Sequence, residues 1–185
     1  RGGVGATVGA VLGAAVKAAV PERLRPFHGT AVLTVAARES VGSGATEYGE
    51  LKASYVYPVS VDNKARYCRQ WGCTLVVGRG VPETAGRSAR WNKVAWLRRI
   101  FWKYEWLVWM DLDALFAQPN VSLASVLDPE FDLHVTYDFG RRDRVNTGFF
   151  ALRASKWSFM FLEQVWAHND FGRGQSDQAS VNHVL

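Results

Sequence analysis

The sequence predicts an α/β domain on a mostly parallel central sheet. From residue 28 onward, β-branched and apolar runs alternate with segments of helical periodicity. One run, "WLVWM" at Trp106 to Met110, is apolar at every position, as befits a strand covered on both faces. With 48% hydrophobic and 13% aromatic side chains, the 185 residues can bury the core of one domain.

Residues 1–27 stand apart as a Gly/Ala-rich, low-complexity segment. Gly2 to Val20 is almost wholly Gly, Ala and Val. No strand precedes its G-x-G and no acid follows at the right distance, which disfavours a dinucleotide-binding loop. A membrane span needs about 20 apolar residues, and this stretch is Gly-rich and carries Lys17. A disordered or transit-like remnant fits it at least as well. Such small side chains bury little apolar area, so Gly2 to Val20 is expected to pack little against the domain. The chain opens on Arg1 and stops at Leu185 within an apparent helix, so residues 28–185 are read as a domain truncated at its C-terminus.

Thr30 to Arg38 is apolar and β-branched enough for a buried strand, and the Gly/Ser-rich stretch after it reads as a loop. Ser60 to Gly72 reads as a short helix, with Ser60 as N-cap and Gly72 at the C-terminus. Cys73 to Gly78 is a second strand. Arg87 to Tyr104 places Trp91, Val94, Leu97 and Phe101 near one face of an amphipathic helix. Strands are expected at Glu105 to Asp111, Phe131 to Asp138 and Thr147 to Ala154, then a helix over Ser155 to His168.

The formal charge of +5 suits an anionic ligand such as a nucleotide or phosphate. Nucleic acid is disfavoured: no run interleaves basic and aromatic residues, and the basic clusters (Arg87 to Lys103; Arg141, Arg142, Arg144) fall on a helix and a loop, where solvated surface explains them. Cys68 and Cys73 make no disulfide scaffold and no CxxC pair, and are read as small buried apolar residues. Asn120-Val121-Ser122 is an N-glycosylation sequon.

The chemistry centres on Asp111 and Asp113, at the carboxyl end of the Trp106 to Met110 run. Ligands of open α/β sheets bind outside the carboxyl ends of the strands. On extended backbone, residues two apart share a side, so Leu112 would face the core and both carboxylates the crevice. Two acids on one side repel unless a cation lies between them. A hard divalent ion, Mg²⁺ or Mn²⁺, meets that need and bridges to phosphates. The plain alternative is that the acids cap the turn that follows.

"ARWNKVAWLRRIFWKYEWLVWMDLDALF", "VNTGFFALRASKWS" and "GQSDQASVNHVL" occur in that order, and upstream lies "VDNKARYCRQWGCTLVV". Together they resemble glycosyltransferase family 34, which includes plant xyloglucan xylosyltransferases and fungal galactosyl- and mannosyltransferases. The resemblance runs from about His28 to Leu185. It implies a GT-A fold and a metal-dependent retaining glycosyltransferase, with Mn²⁺ as cofactor. The reaction would move a hexosyl or pentosyl residue from a nucleotide-sugar donor, UDP- or GDP-linked, to a glycan acceptor.

Residue by residue, Asp111 and Asp113 match the metal and diphosphate motif. Asn146, Thr147 and Gly148 match "NTG" in the donor site, with Gly148 admitting close approach of a sugar. Asp138, Asp177 and Gln178 match catalytic positions of the sugar and acceptor crevice. Ser176 departs from the plant pattern, which has an acid there. A further metal-binding His is expected downstream of Leu185, His183 being too close to Asp177. The resemblance also implies a lumenal catalytic domain at the Golgi membrane, with an anchor upstream.

Two other readings stand beside it. "WMDLDALF" also looks like the first motif of haloacid dehalogenase phosphatases, although Ala114 and Leu115 replace the usual Gly-Thr and the motif comes late in the chain. The second is an inactive fragment that only binds a nucleotide.

Overall fold

The computed structural model describes residues 27–35, 56–78, 87–168 and 176–185. The expectations for Gly2 to Val20 and for most of the loop from Glu39 to Pro58 lie outside these residues. Among the described residues, five strands form one sheet: β1 (Phe27–Val35), β2 (Thr74–Gly78), β3 (Tyr104–Met110), β4 (Leu133–Asp138) and β5 (Arg141–Arg153), in the order β2-β1-β3-β5-β4. Among the described residues, no helix is long and apolar enough to cross a membrane.

β1 pairs in parallel with β2 and β3, whereas β5 pairs antiparallel with β3 and β4. The sheet is therefore mixed, not mostly parallel in its pairings. The cause is the link between β4 and β5: Asp138 pairs with Arg141 across Phe139 and Gly140, and only an antiparallel pair can be joined so tightly. Gly140 takes the left-handed φ of 73° that the turn demands. The basic stretch from Arg141, expected as a loop, is thus the start of β5.

β3 lies at the centre of the sheet, as its apolar run predicts. Leu107 and Trp109 face one layer, with Leu33, Phe150 and Leu152. Trp106, Val108 and Met110 face the other, with Val32 and Ala151. The first layer is covered by α2 (Asn92–Ile100), α3 (Lys156–Ala167) and α4 (Asp177–Val184), and the second by α1 (Tyr57–Trp71) and the segment around Leu123 and Leu127. Each fully buried Leu or Phe of these layers, such as Leu97, Phe101 and Leu162, contributes about 1.5–3 kcal/mol through burial.

The helices depart from expectation at their ends. α1 starts at Tyr57, with Pro58 in its first turn, where a missing N–H costs nothing. Ser60 is therefore inside the helix and fully buried, not its N-cap. Gly72 ends α1 with φ 70°, and the reversal lets the Cys73 N–H donate to the Cys68 carbonyl at 3.1 Å. The same turn brings the two cysteines together as a disulfide, so they are paired instead of free apolar fillers.

α2 is shorter than the predicted helix, with 3-10 turns at Ala89–Trp91 and Phe101–Lys103 on either side. Trp91, Val94, Leu97 and Phe101 are buried as predicted, and Asn92 and Lys93 join them. Ser155 caps α3 by accepting from the Ser158 N–H, and Ser176 caps α4 by accepting from the Ala179 N–H.

Candidate functional site

β3 ends at Met110, and the Asp111 N–H donates to the Gly148 carbonyl at 2.8 Å, tying the strand's end to β5. The chain then turns. The Ala114 N–H donates to the Asp111 carbonyl at 3.0 Å, so Asp111 to Ala114 form a closed turn, not extended backbone. The predicted alternation of sides fails for that reason. Leu112 lines the cleft with Asp111, while Asp113 is exposed and does not line it.

The cleft, of about 360 Å³, opens where the ends of β1 and β3 meet the starts of α2 and α4. Its walls include Arg90, Lys93, Trp109, Asp111, Asp177 and Gln178. Lys93 is the hub, with only 6% of its side chain exposed. Its ammonium lies 2.9 Å from Asp177 Oδ2 and 3.3 Å from Asp111 Oδ1, and donates to the Thr147 carbonyl at 3.0 Å. Asp177 is 2% exposed, and such a buried carboxylate needs a cation this close. Asp111 Oδ1 also accepts from Trp109 Nε1 at 2.7 Å. The Lys93 ammonium sits 5.3 Å from the centre of the Trp109 ring, within cation–π range.

The "NTG" segment enters through an irregularity in β5. Val135 pairs with Phe150 but Thr136 pairs with Asn146, so residues 147–149 are extra on the β4 side; Phe149 stays paired with Met110 of β3, and Thr147 lines the cleft. Thr147 Oγ1 donates to Asp177 Oδ2 at 2.9 Å, and the Thr147 N–H donates to Gln178 Oε1 at 3.1 Å. Gln178 Nε2 reaches Asp138 Oδ2 at 3.3 Å, and Asn146 Nδ2 reaches Asp138 Oδ1 at 3.1 Å. Asn146 Oδ1 in turn accepts from the Gly148 N–H at 2.7 Å.

Seven of the eight predicted site residues thus form one connected network, and the eighth, Asp113, lies on the same turn as Asp111. Asp111, Thr147, Asp177 and Gln178 line the cleft, whereas Asp138, Asn146 and Gly148 support it from behind. Gly148 has a reason other than approach of a sugar: a Cβ there would lie 2.9 Å from Asn146 Oδ1 and 3.3 Å from Asp111 Oδ2.

On the opposite face of the sheet, Lys64 of α1 is fully buried beneath the same turn. Its ammonium donates to the carbonyls of Ala114 at 2.7 Å and Asp111 at 3.2 Å, and to the Ser60 hydroxyl. Burial pushes its pKa down to about 8, against the opposing pull of Asp113 and Asp111.

Among the described residues, no group of three or more His, Cys, Asp or Glu side chains could hold a metal ion. His183 is exposed and stacks on His168 with ring centres 3.8 Å apart. Of the two acids Asp111 lines the cleft, where it would offer a carboxylate to a hard cation arriving with its own oxygen ligands, since Mg²⁺-like ions commonly take one or two carboxylates plus water and phosphate. Reasoning from sequence missed Arg90 as a site residue, and saw Lys64 and Lys93 only as parts of motifs. A lysine within the apolar arc of a predicted helix was the available signal for Lys93.

The galactosyl transferase GMA12/MNN10 family model matches residues 40–139, which include Lys64, Lys93, Asp111, Asp113 and Asp138 but not Asn146 to Gly148 or Asp177-Gln178. The chain is 34% identical over 119 residues to probable xyloglucan 6-xylosyltransferase 5 of Arabidopsis thaliana, covering 58% of this chain and 25% of that protein. It is 30% identical over 126 residues to xyloglucan 6-xylosyltransferase 4 of the same plant, covering 62% and 24%. The chain thus matches about a quarter of the length of these relatives. The fold is shared with a solved glycosyltransferase involved in the glycosylation of the major capsid of PBCV-1, at TM-score 0.57 and 16% identity, over 83% of this chain and 73% of that one. With the GT-A architecture and the ordered motifs around Asp111, the match over more than half of its residues means that the chain belongs to the galactosyl transferase GMA12/MNN10 family, glycosyltransferase family 34.

Proposed function

We propose that this chain forms the donor-binding part of a retaining glycosyltransferase that moves a pentosyl or hexosyl residue from a UDP- or GDP-sugar to a glycan acceptor. The observation that carries the reading is the Asp111-centred cleft, in which the buried Lys93 stands between Asp111 and Asp177 at the carboxyl edge of the sheet. The family supports it, and the relatives' xylosyltransferase names make a pentosyl donor the first to test.

Asp111 and Asp113 would hold Mn²⁺ with the donor's diphosphate, and the ion would offset the charge that builds on the departing phosphate. The protein's own groups orient the remainder. Lys93 offsets the charge of Asp111 and Asp177, so a diphosphate meets a less negative wall, and Arg90 at the cleft adds positive charge. Gln178 is held at both ends of its amide, by the Thr147 N–H and by Asp138, which fixes its orientation beside the sugar. Asp138 acts through Gln178 and Asn146 as a positioning residue. The proposal includes a Golgi-lumenal location, for which the Cys68–Cys73 disulfide, suited to an oxidising compartment, is the support.

A screen of nucleotide-sugar hydrolysis with Mn²⁺, using UDP-xylose, UDP-galactose and GDP-mannose, tests the reading. Metal-dependent release of nucleoside diphosphate from one donor is expected. Phosphate release from simple phosphoesters, with every nucleotide sugar left intact, would establish the phosphatase alternative instead.

A further inference from the structure

We infer that Lys64 is a positioning residue for diphosphate binding, holding the Asp111 to Ala114 turn in the shape that sets the Asp111 carboxylate in the cleft wall. The inference rests on the donor-site reading above and extends it to a residue on the far face of the sheet.

The case begins with cost. A fully buried ammonium forfeits several kcal/mol of hydration, and a leucine or methionine would fill the same space in a layer that holds Tyr67, Val108 and Met110. Core packing alone therefore does not call for a charge at this point. The three protons of Lys64 match three acceptors: the Ser60 hydroxyl one helical turn earlier, and the Asp111 and Ala114 carbonyls, 47 and 50 residues away in sequence. Those carbonyls belong to the first and last residues of the turn, and its own closing bond runs from the Ala114 N–H to Asp111. The ammonium thus clamps both ends of a four-residue loop with the acids at its first and third positions.

Further restraints surround the clamp. Asn63 exchanges two hydrogen bonds with the Phe116 backbone, at 2.8 and 3.1 Å, and Tyr67 stacks on the Phe116 ring at 3.6 Å. Asn63, Lys64 and Tyr67 lie on one side of α1, spaced so that they meet the chain leaving β3 at successive points. Within this set Lys64 hydrogen-bonds to both ends of the turn that carries the acids. It also places a positive charge behind Asp111 and Asp113, both of which act on it electrostatically.

The test is titration of UDP and GDP, with and without Mn²⁺, on wild type and Lys64→Met, each checked for folding by thermal melting. The wild type is expected to bind more tightly with Mn²⁺. In Lys64→Met the Mn²⁺-dependent affinity is expected to fall about 10-fold or more, the scale on which outer supports of a metal site act, while binding without metal stays within about two-fold. Ser60→Ala leaves both carbonyl contacts intact and should keep the Mn²⁺-dependent affinity within about two-fold. Unchanged affinity in a folded Lys64→Met protein overturns the inference. An equal fall with and without metal also overturns it, because that is the mark of general structural damage. If Lys64→Met does not fold, Lys64→Gln takes its place, and failure of both to fold makes Lys64 a residue of the core and overturns the inference too. A wild type indifferent to Mn²⁺ would instead sink the donor-site reading on which it rests.

Discussion

Two buried lysines approach Asp111 from opposite faces of the sheet and hold different parts of it. Lys93, from α2, takes the carboxylate and couples it to Asp177, whereas Lys64, from α1, takes the backbone carbonyl and couples it to Ala114. Residue type and burial are nearly the same, at 6% and 0% exposure. What differs is the partner, and the partner sets the consequence of loss. An ammonium between two carboxylates balances charge, so its removal leaves acids stranded; an ammonium on carbonyls fixes shape, so its removal loosens a turn.

The sharpest break in that comparison is Lys93→Met. It strands Asp177 in the interior, and breaking a buried pair in this way typically costs about 3–5 kcal/mol. Urea denaturation should show a loss of that order, and Lys93→Met combined with Asp177→Asn should recover part of it. If the single variant is as stable as wild type, Lys93 is not the balancing charge of the site.

Gly148→Ala probes the Lys93 side by steric means. The new Cβ would press on Asn146 Oδ1 and on the Asp111 carboxylate, and overpacking of this kind costs about 1–3 kcal/mol. Calorimetric melting should show the drop together with weaker nucleotide binding in Mn²⁺. Normal binding would mean that Asp111 can shift without consequence.

On the Lys64 side the smallest effect is expected from Tyr67→Phe. The hydroxyl donates to the Val121 carbonyl and accepts from the Leu123 N–H, and losing both should cost about 1 kcal/mol. Burial raises the Tyr67 pKa above its ordinary 10.0. Above that pH the unfolded chain loses a proton that the folded chain keeps, so Tyr67 contributes stability that is present below the ordinary value and lost as pH rises through the folded one. Stability, followed by denaturation from pH 8 to 11, should therefore fall less steeply at the alkaline end in Tyr67→Phe than in wild type. Parallel curves would remove Tyr67 as the cause.

Much of this was legible in the sequence because it rests on local signals. The apolar run of β3 announced a central strand, the spacing of Trp91, Val94, Leu97 and Phe101 announced the buried face of α2, and the order of the acids around "NTG" brought together residues that do form one network. Contacts closed only by tertiary structure were not legible. Strand alternation was extended two residues too far, because the Ala114 to Asp111 bond that turns the chain leaves no mark in the residue types. β5 begins six residues before its apolar core because a glycine turn pairs charged residues with β4. Cys68 and Cys73 looked like fillers because their pairing depends on the left-handed Gly72. Lys64 stood only inside a motif, with no role, because its carbonyl partners lie some 50 residues away.

The central claim is that the turn at the end of β3 binds a nucleoside diphosphate through a divalent cation held by its acids. The most direct measurement is calorimetric titration of UDP and GDP into wild type, Asp111→Asn and Asp113→Asn, each with Mn²⁺ and with chelator. Tighter binding by the wild type in Mn²⁺, abolished by Asp111→Asn and reduced by Asp113→Asn, is the result predicted here. Binding of the same strength in all three proteins, with or without the metal, would contradict the account.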